Sequence, residues 1–193
     1  MVNDLTVIIM AGGLGKRMNS ELPKVLHKLH HQPMLVMIIN KALKLEPNKI
    51  LIVVGKYKDI IEKTINEYIS SDKIEYVIQK EALGTGHAIQ CCRDHLLEIE
   101  LDLMTPHTEE GNVLILSGDV PLISTLTIIA MISKMSKYKS RVSLITTDLE
   151  NPRGYGRVIE KNNCFEKIVE EKDCSQEERL VKKINSGIYV IDR

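Results

Sequence analysis

Three glycines and two cations crowd one short stretch, Met10-Ala11-Gly12-Gly13-Leu14-Gly15-Lys16-Arg17-Met18. Glycine carries no Cβ, so the backbone can turn sharply and approach a ligand closely. Successive backbone N–H groups in such a turn form a concave anion site, and Lys16 and Arg17 place positive charge beside it. That is the chemistry of a phosphate site. Spacing excludes the two commonest glycine signatures. G-x-G-x-x-G fails because Met18 stands where the third glycine belongs. The P-loop fails because Met10 stands five residues before Gly15, and Arg17 takes the place of the metal-binding Ser or Thr. Without a ligand, the same residues would make a tight strand-to-helix turn.

Further along, Pro23 restricts the backbone before Lys24, a lysine that is either solvated or reaches back to the same anion. Asp119 follows Gly118 at the end of an apolar run. A carboxylate there suits a hard cation such as Mg²⁺, which takes one or two carboxylates plus substrate phosphates; a turn-capping role before Pro121 is the alternative. Gly84-Thr85-Gly86 is a second glycine loop, or a plain helix entry with a Thr cap. Gly154-Tyr155-Gly156-Arg157 is a sheet entry or a third ligand-facing turn, and Asn185 is a bulge residue or a ligand contact. His27, His30 and His31 lack a matching ligand set elsewhere and read as a solvated turn. Glu170-Glu171-Lys172-Asp173 reads as a solvated charge run, and no Ser/His/Asp or Cys/His constellation has supporting spacing.

These residues need elements to hold them. Val7 to Met10 is a short run of strand type. Helical spacing over Pro33 to Leu45 puts Met34, Leu35, Ile38, Ile39 and Ala42 on one face. Lys49 to Gly55 predicts a second buried strand. A helix over Asp59 to Ile69 carries the stripe Ile60, Ile61, Ile65 and Ile69. Strands follow at Ile74 to Gln79, Asn112 to Leu116 and Arg141 to Thr147, with helices at Ala88 to Leu97 and Thr125 to Lys137 between them. Glu98 to Gly111 reads as a surface loop. Gly156 to Lys161 and Phe165 to Glu170 flank Asn162-Asn163, a hairpin signal, and Ile184 to Ile191 is a last strand. Alternating apolar strands and helices predict a three-layer α/β/α architecture on a largely parallel sheet, with a small antiparallel insertion.

The chain of 193 residues, 44% hydrophobic and 27% charged, reads as one globular domain over 1–193. Its formal net charge of zero provides no global field for nucleic acid or anionic membrane. No apolar run approaches the roughly 18 residues of a membrane span, and Met1-Val2-Asn3-Asp4 lacks the basic start of a signal peptide. Of Cys91, Cys92, Cys164 and Cys174, the adjacent Cys91 and Cys92 match no zinc or redox spacing, so reduced thiols and a cytoplasmic location are expected.

Taken together, the motifs resemble the sugar nucleotidyltransferases. The opening glycine loop and Pro23-Lys24-Val25-Leu26 look like that family's signature. A nearer resemblance, to the uridylyltransferase domain of bacterial N-acetylglucosamine-1-phosphate uridylyltransferases, rests on five further motifs in order. They are Leu83-Gly84-Thr85-Gly86-His87-Ala88, Gly118-Asp119-Val120-Pro121-Leu122-Ile123, Gly154-Tyr155-Gly156-Arg157, Ile168-Val169-Glu170 with Lys172-Asp173, and Ile184-Asn185-Ser186-Gly187-Ile188.

The resemblance implies a Rossmann-like nucleotide-diphospho-sugar transferase fold and Mg-dependent formation of UDP-N-acetylglucosamine and pyrophosphate from UTP and N-acetylglucosamine 1-phosphate. Another sugar 1-phosphate or nucleotide, or a non-catalytic nucleotide-sugar-binding role, is the alternative. It implies that Ala11, Gly12 and Gly13 hold uracil and ribose, and that Gln79 with Gly84 reads the uracil edge. Arg17 and Lys24 would hold the triphosphate and pyrophosphate, and Asp119 would ligate Mg²⁺. Thr85, Gly154, Glu170 and Asn185 would hold sugar and ribose hydroxyls.

The sequence departs from the family in three respects. Ser117 replaces an aromatic or small apolar residue, with an expected effect on sugar packing, and Ser186 replaces Thr. The sequence ends at Arg193, before the family's C-terminal elements, including an Asn that is the second metal ligand, and before any β-helix acetyltransferase domain. A monomer or homodimer is expected.

Overall fold

The computed structural model describes residues 4–13, 18–81, 83–96, 111–162 and 164–192. Arg17 and Lys16, and the predicted loop over Glu98 to Gly111 apart from Gly111, lie outside them. In chain order the elements are β1 (Leu5–Met10), β2 (Lys28–Leu29), β3 (Gln32–Pro33), α1 (Met34–Leu43), β4 (Lys49–Val54), α2 (Lys58–Asn66), β5 (Ile74–Ile78), α3 (Thr85–Gln90), β6 (Asn112–Ser117), α4 (Thr125–Tyr138), β7 (Val142–Asp148), β8 (Arg157–Lys161), β9 (Cys164–Val169) and β10 (Lys183–Asp192).

β5, β4, β1 and β6 lie side by side in that order and run parallel, with Ile8 level with Leu51 on one side and Ile115 on the other. Buried on both faces, β1, β4 and β6 need apolar residues at successive positions, which is why they read as continuous runs. Their side chains alternate between two cores. Val7, Ile9, Ile50, Ile52, Leu114 and Leu116 meet α1, α2 and α4; Ile8, Leu51, Val53, Val113 and Ile115 meet Ala88 of α3 and Cys92. The helices therefore cover both faces, giving the three layers that the pattern predicts.

The handedness of parallel crossovers decides which face each helix takes. From β1 to β4 to β5 the chain steps outward, and α1 and α2 lie on one face. It then returns past β1 to β6, and α3 lies on the other face. The strand order reverses beside β1, and open α/β sheets bind ligands in the crevice outside the strand ends at such a point.

β10 extends the sheet antiparallel to β6 and also pairs with β7 and β8. The β8–β9 hairpin enters its turn at Asn162, which has φ 53. It joins the main sheet through the Ile184–Arg157 pairing, so the predicted insertion is an extension of that sheet. The histidine turn becomes the separate β2–β3 hairpin, with His30 and His31 at positive φ and exposed. Among the described residues no helix is long and apolar enough to cross a membrane.

Local corrections follow from packing. Ile60 is 43% exposed and leaves the α2 stripe, while Ile61 and Ile65 are fully buried. α3 starts at Thr85, three residues before the predicted Ala88. Gly84 takes the cap position at φ 104 with no side-chain cap bond, so Thr85 is the first helical residue rather than the cap.

Candidate functional site

Because β1, β4, β5 and β6 are parallel, the loops after their carboxyl ends meet. They enclose a cleft of about 350 Å³ lined by Gly12 and Gly13 after β1, Gln79 after β5, Gly84 and Thr85 at the entry to α3, Ser117 at the end of β6, Asp119 after it, and Lys24. Seven of the residues singled out in the sequence thus share one cavity. The close approach of β1 and β6 needs Gly118, whose N–H donates to the Met10 carbonyl at 3.0 Å. A Cβ at Gly118 would stand 3.0 Å from that oxygen and 3.1 Å from Val25 Cγ1. Gly118→Ala should therefore destabilise the fold by about 1–3 kcal/mol, a fall in Tm of roughly 2–4 °C per kcal/mol in thermal melts.

Lys24 opens a short 3-10 turn whose next two residues, Val25 and Leu26, are buried. They anchor the turn and aim the lysine into the cleft. There Lys24 Nζ donates to Asp119 Oδ2 at 2.5 Å, with the side chains 37% and 28% exposed. The Ser117 hydroxyl donates to the other oxygen, Oδ1, also at 2.5 Å. Burial pushes the Asp119 carboxyl up, but the Lys24 and Ser117 hydrogen bonds and the lysine charge outweigh it and hold it below the usual range. Asp119 is therefore an ionised carboxylate at neutral pH, held on both oxygens. Ser117 acts on Asp119 in this cleft, a role the sequence did not disclose. Lys41 of α1 donates to the carbonyls of Pro121 at 2.6 Å and Ile123 at 2.8 Å, tying down the loop that follows Asp119.

A second cavity of about 420 Å³ adjoins the first, with Thr85 in both. It brings in Glu170 and Asn185 together with Ile168, Ile191 and Tyr189. Asn185 is both a bulge residue and a lining residue. The β7–β10 register shifts between Asn185 and Tyr189, and Gly187 takes φ 75. Asn185 Oδ1 accepts from the Gly187 N–H at 3.0 Å, and its Nδ2 donates to the Tyr189 hydroxyl at 2.5 Å. Ser186 donates to the Ile145 carbonyl at 2.7 Å.

Two of the singled-out residues sit elsewhere. Ala11 is buried and its N–H donates to the Val53 carbonyl at 2.8 Å. Gly154 lines neither cavity; its N–H donates to Glu171 Oε2 at 3.1 Å. The charge run around Glu171 is not simply solvated. Arg157, 1% exposed, pairs with Glu171 Oε2 at 2.7 Å and donates to the Tyr155 carbonyl. This pairing fixes the Gly154 turn against the strand end that carries Glu170, and no spacing rule in the sequence signals it.

An ionised carboxylate beside a hydroxyl is a hard-oxygen donor set that fits a cation completing its shell with substrate phosphates. Among the described residues, no group of three or more His, Cys, Asp or Glu side chains converges on a metal position.

The family pattern described as "MobA-like NTP transferase domain" matches residues 7–185. A protein of Acanthamoeba polyphaga mimivirus named "Probable UDP-N-acetylglucosamine pyrophosphorylase" is 41% identical over 187 residues, covering 96% of this chain and 69% of that protein. The "Bifunctional protein GlmU" of Caldanaerobacter subterraneus subsp. tengcongensis is 37% identical over 192 residues, covering 99% of this chain but 38% of its own length. A crystal structure of UDP-glucose pyrophosphorylase complexed with UDP-glucose shares the fold. Its TM-score is 0.74 at 19% identity, over 98% of this chain and 76% of that one.

Proposed function

Since the chain belongs to the MobA-like NTP transferase family, we propose that it is a magnesium-dependent nucleotidyltransferase that makes UDP-N-acetylglucosamine and pyrophosphate from UTP and N-acetylglucosamine 1-phosphate. The observation that carries this reading is the meeting of Lys24 and ionised Asp119 with the glycine loop at the point where the strand order reverses. The name of the mimivirus relative supports the choice of sugar.

The first cleft would take the nucleotide and the second the sugar, with Thr85 between them. A phosphate oxygen of the sugar 1-phosphate attacks the α-phosphorus of UTP in line. The new O–P bond forms as the bond to the bridging oxygen breaks, and pyrophosphate departs with that oxygen. The attacking oxygen is already ionised, so no side chain needs to act as a base. The residues of the chain supply positioning and charge. Gly13 leaves the backbone open to a ligand, as nothing lies within 4 Å of a Cβ built there, whereas a Cβ on Gly12 would stand 3.4 Å from Gln79 Oε1. Lys24 neutralises phosphate charge, and Arg17, which lies outside the described residues, would add to it. The Glu170 carboxylate is exposed and, with Asn185 and Thr85, offers hydrogen bonds to sugar hydroxyls. Asp119 would hold Mg²⁺, which when bound neutralises charge on the phosphoryl oxygens.

The test is pyrophosphate release from UTP and N-acetylglucosamine 1-phosphate, with and without Mg²⁺, and with CTP, dTTP and glucose 1-phosphate alongside. Metal-dependent release favouring UTP and the N-acetyl sugar is expected. Folded protein that binds UTP without releasing pyrophosphate would overturn the catalytic reading in favour of a nucleotide-sugar-binding protein.

A further inference from the structure

Gln79, after β5, is pinned at one end. Its Nε2 donates to the Gly84 carbonyl oxygen at 3.1 Å and lies 3.2 Å from Nδ1 of His87. A carbonyl oxygen only accepts, so the Gly84 contact fixes which end of the amide is nitrogen. The second Nε2 hydrogen then points at His87, whose Nδ1 must carry a lone pair; the ring proton sits on Nε2. Oε1 is left facing Gly12, where a Cβ would stand 3.4 Å from it. On this wall the cleft meets a fixed acceptor. His87 is half-buried behind Gln79 and is not among the residues lining either cavity.

We propose that His87 is a positioning residue for nucleobase choice. By accepting from Gln79 Nε2, it holds Oε1 toward the cleft, where it admits a base edge carrying an N–H and rejects one carrying a lone pair. Uracil offers N3–H at its pairing edge; cytosine offers a bare N3. The inference rests on the reading of the first cleft as the nucleotide site. With His87 gone, the Gly84 carbonyl holds Nε2 through one hydrogen alone, and Oε1 is free to swing about that single contact.

The variants are His87→Leu, which removes the acceptor, and His87→Asn, whose Oδ1 branches from the same carbon as the imidazole Nδ1. Binding of UTP and of CTP is measured by calorimetry on the full chain, with melting curves for each variant. For His87→Leu, the ratio of UTP to CTP affinity is expected to fall about five- to tenfold, the worth of one net hydrogen bond. His87→Asn should restore it to within about twofold. Nitrogen-15 spectra of the wild-type ring should show the proton on Nε2.

A wild-type ratio in both variants, a proton on Nδ1, or an equal loss in both variants accompanied by a lowered Tm would overturn the role of His87. A wild-type protein that binds neither nucleotide, or both alike, would instead overturn the uridine-nucleotide reading on which it rests.

Discussion

Asp119→Asn should lower the rate of pyrophosphate release by about 10²–10³-fold, the range found when a single group that stabilises transition-state charge is lost. The amide keeps the shape of the carboxylate, and its oxygen can still accept from Lys24 or Ser117, the two donors that now hold it at 2.5 Å. What goes is the negative charge that attracts a divalent cation. The fold should be little affected. The Lys24–Asp119 pair is partly solvated, at 37% and 28% exposure, and such a pair contributes at most about 1 kcal/mol. Steady-state rates across a Mg²⁺ titration, read beside a melting curve, separate the two effects. A variant of normal Tm that turns over at the wild-type rate removes Asp119 from the reaction.

Lys24→Ala should lower kcat by about 10²-fold, with a much smaller change in KM for the sugar phosphate. A cation that matters most as charge builds on the departing pyrophosphate acts in the transition state, and its loss appears in kcat. An unchanged kcat with a raised KM would show that Lys24 contributes only uniform binding. The pairing of Lys24 with Asp119 adds a second expectation. Each occupies the other in the ligand-free arrangement, so an entering triphosphate must draw the lysine away before the second carboxylate oxygen is open to a cation. The effects of the two substitutions should therefore not add. The double variant Asp119→Asn/Lys24→Ala should lose less than the product of the single losses, because residues in direct contact couple.

The sequence alone carried the strands and helices of the sheet because each buries apolar side chains at its own period. β1, β4 and β6 lie between two helical layers, so their central residues are apolar on both faces, and α1 repeats its buried Leu35, Ile38, Ile39 and Ala42 at helical spacing. The glycines of the first loop and Asp119 stood out as candidates because they close apolar runs, with a bare turn or a turn cap as the alternative, while Lys24 by itself read equally as a solvated lysine. Where spacing has several equivalent solutions, it fell short. Ile60 fits the α2 stripe by period, yet the neighbouring elements leave it exposed. Glu171 sits in a charge run that looks solvated until Arg157, buried by the β8–β9 pairing, needs its carboxylate.

Only the tertiary structure decided how the chemically useful residues meet. Lys24 and Asp119 are 95 positions apart, and nothing local to either marks them as partners. The parallel order β5-β4-β1-β6 brings their loops to one end of the sheet. Ser117 becomes a donor to Asp119 because a strand ends between them and turns both side chains into one cleft. His87 becomes a second acceptor for Gln79 because α3 starts at Thr85 and places its ring against that amide. Residue type and local period are properties of short stretches, and they fix the elements and the kinds of chemistry available. Hydrogen-bond direction and charge pairing depend on distances between stretches, which only the packed sheet sets.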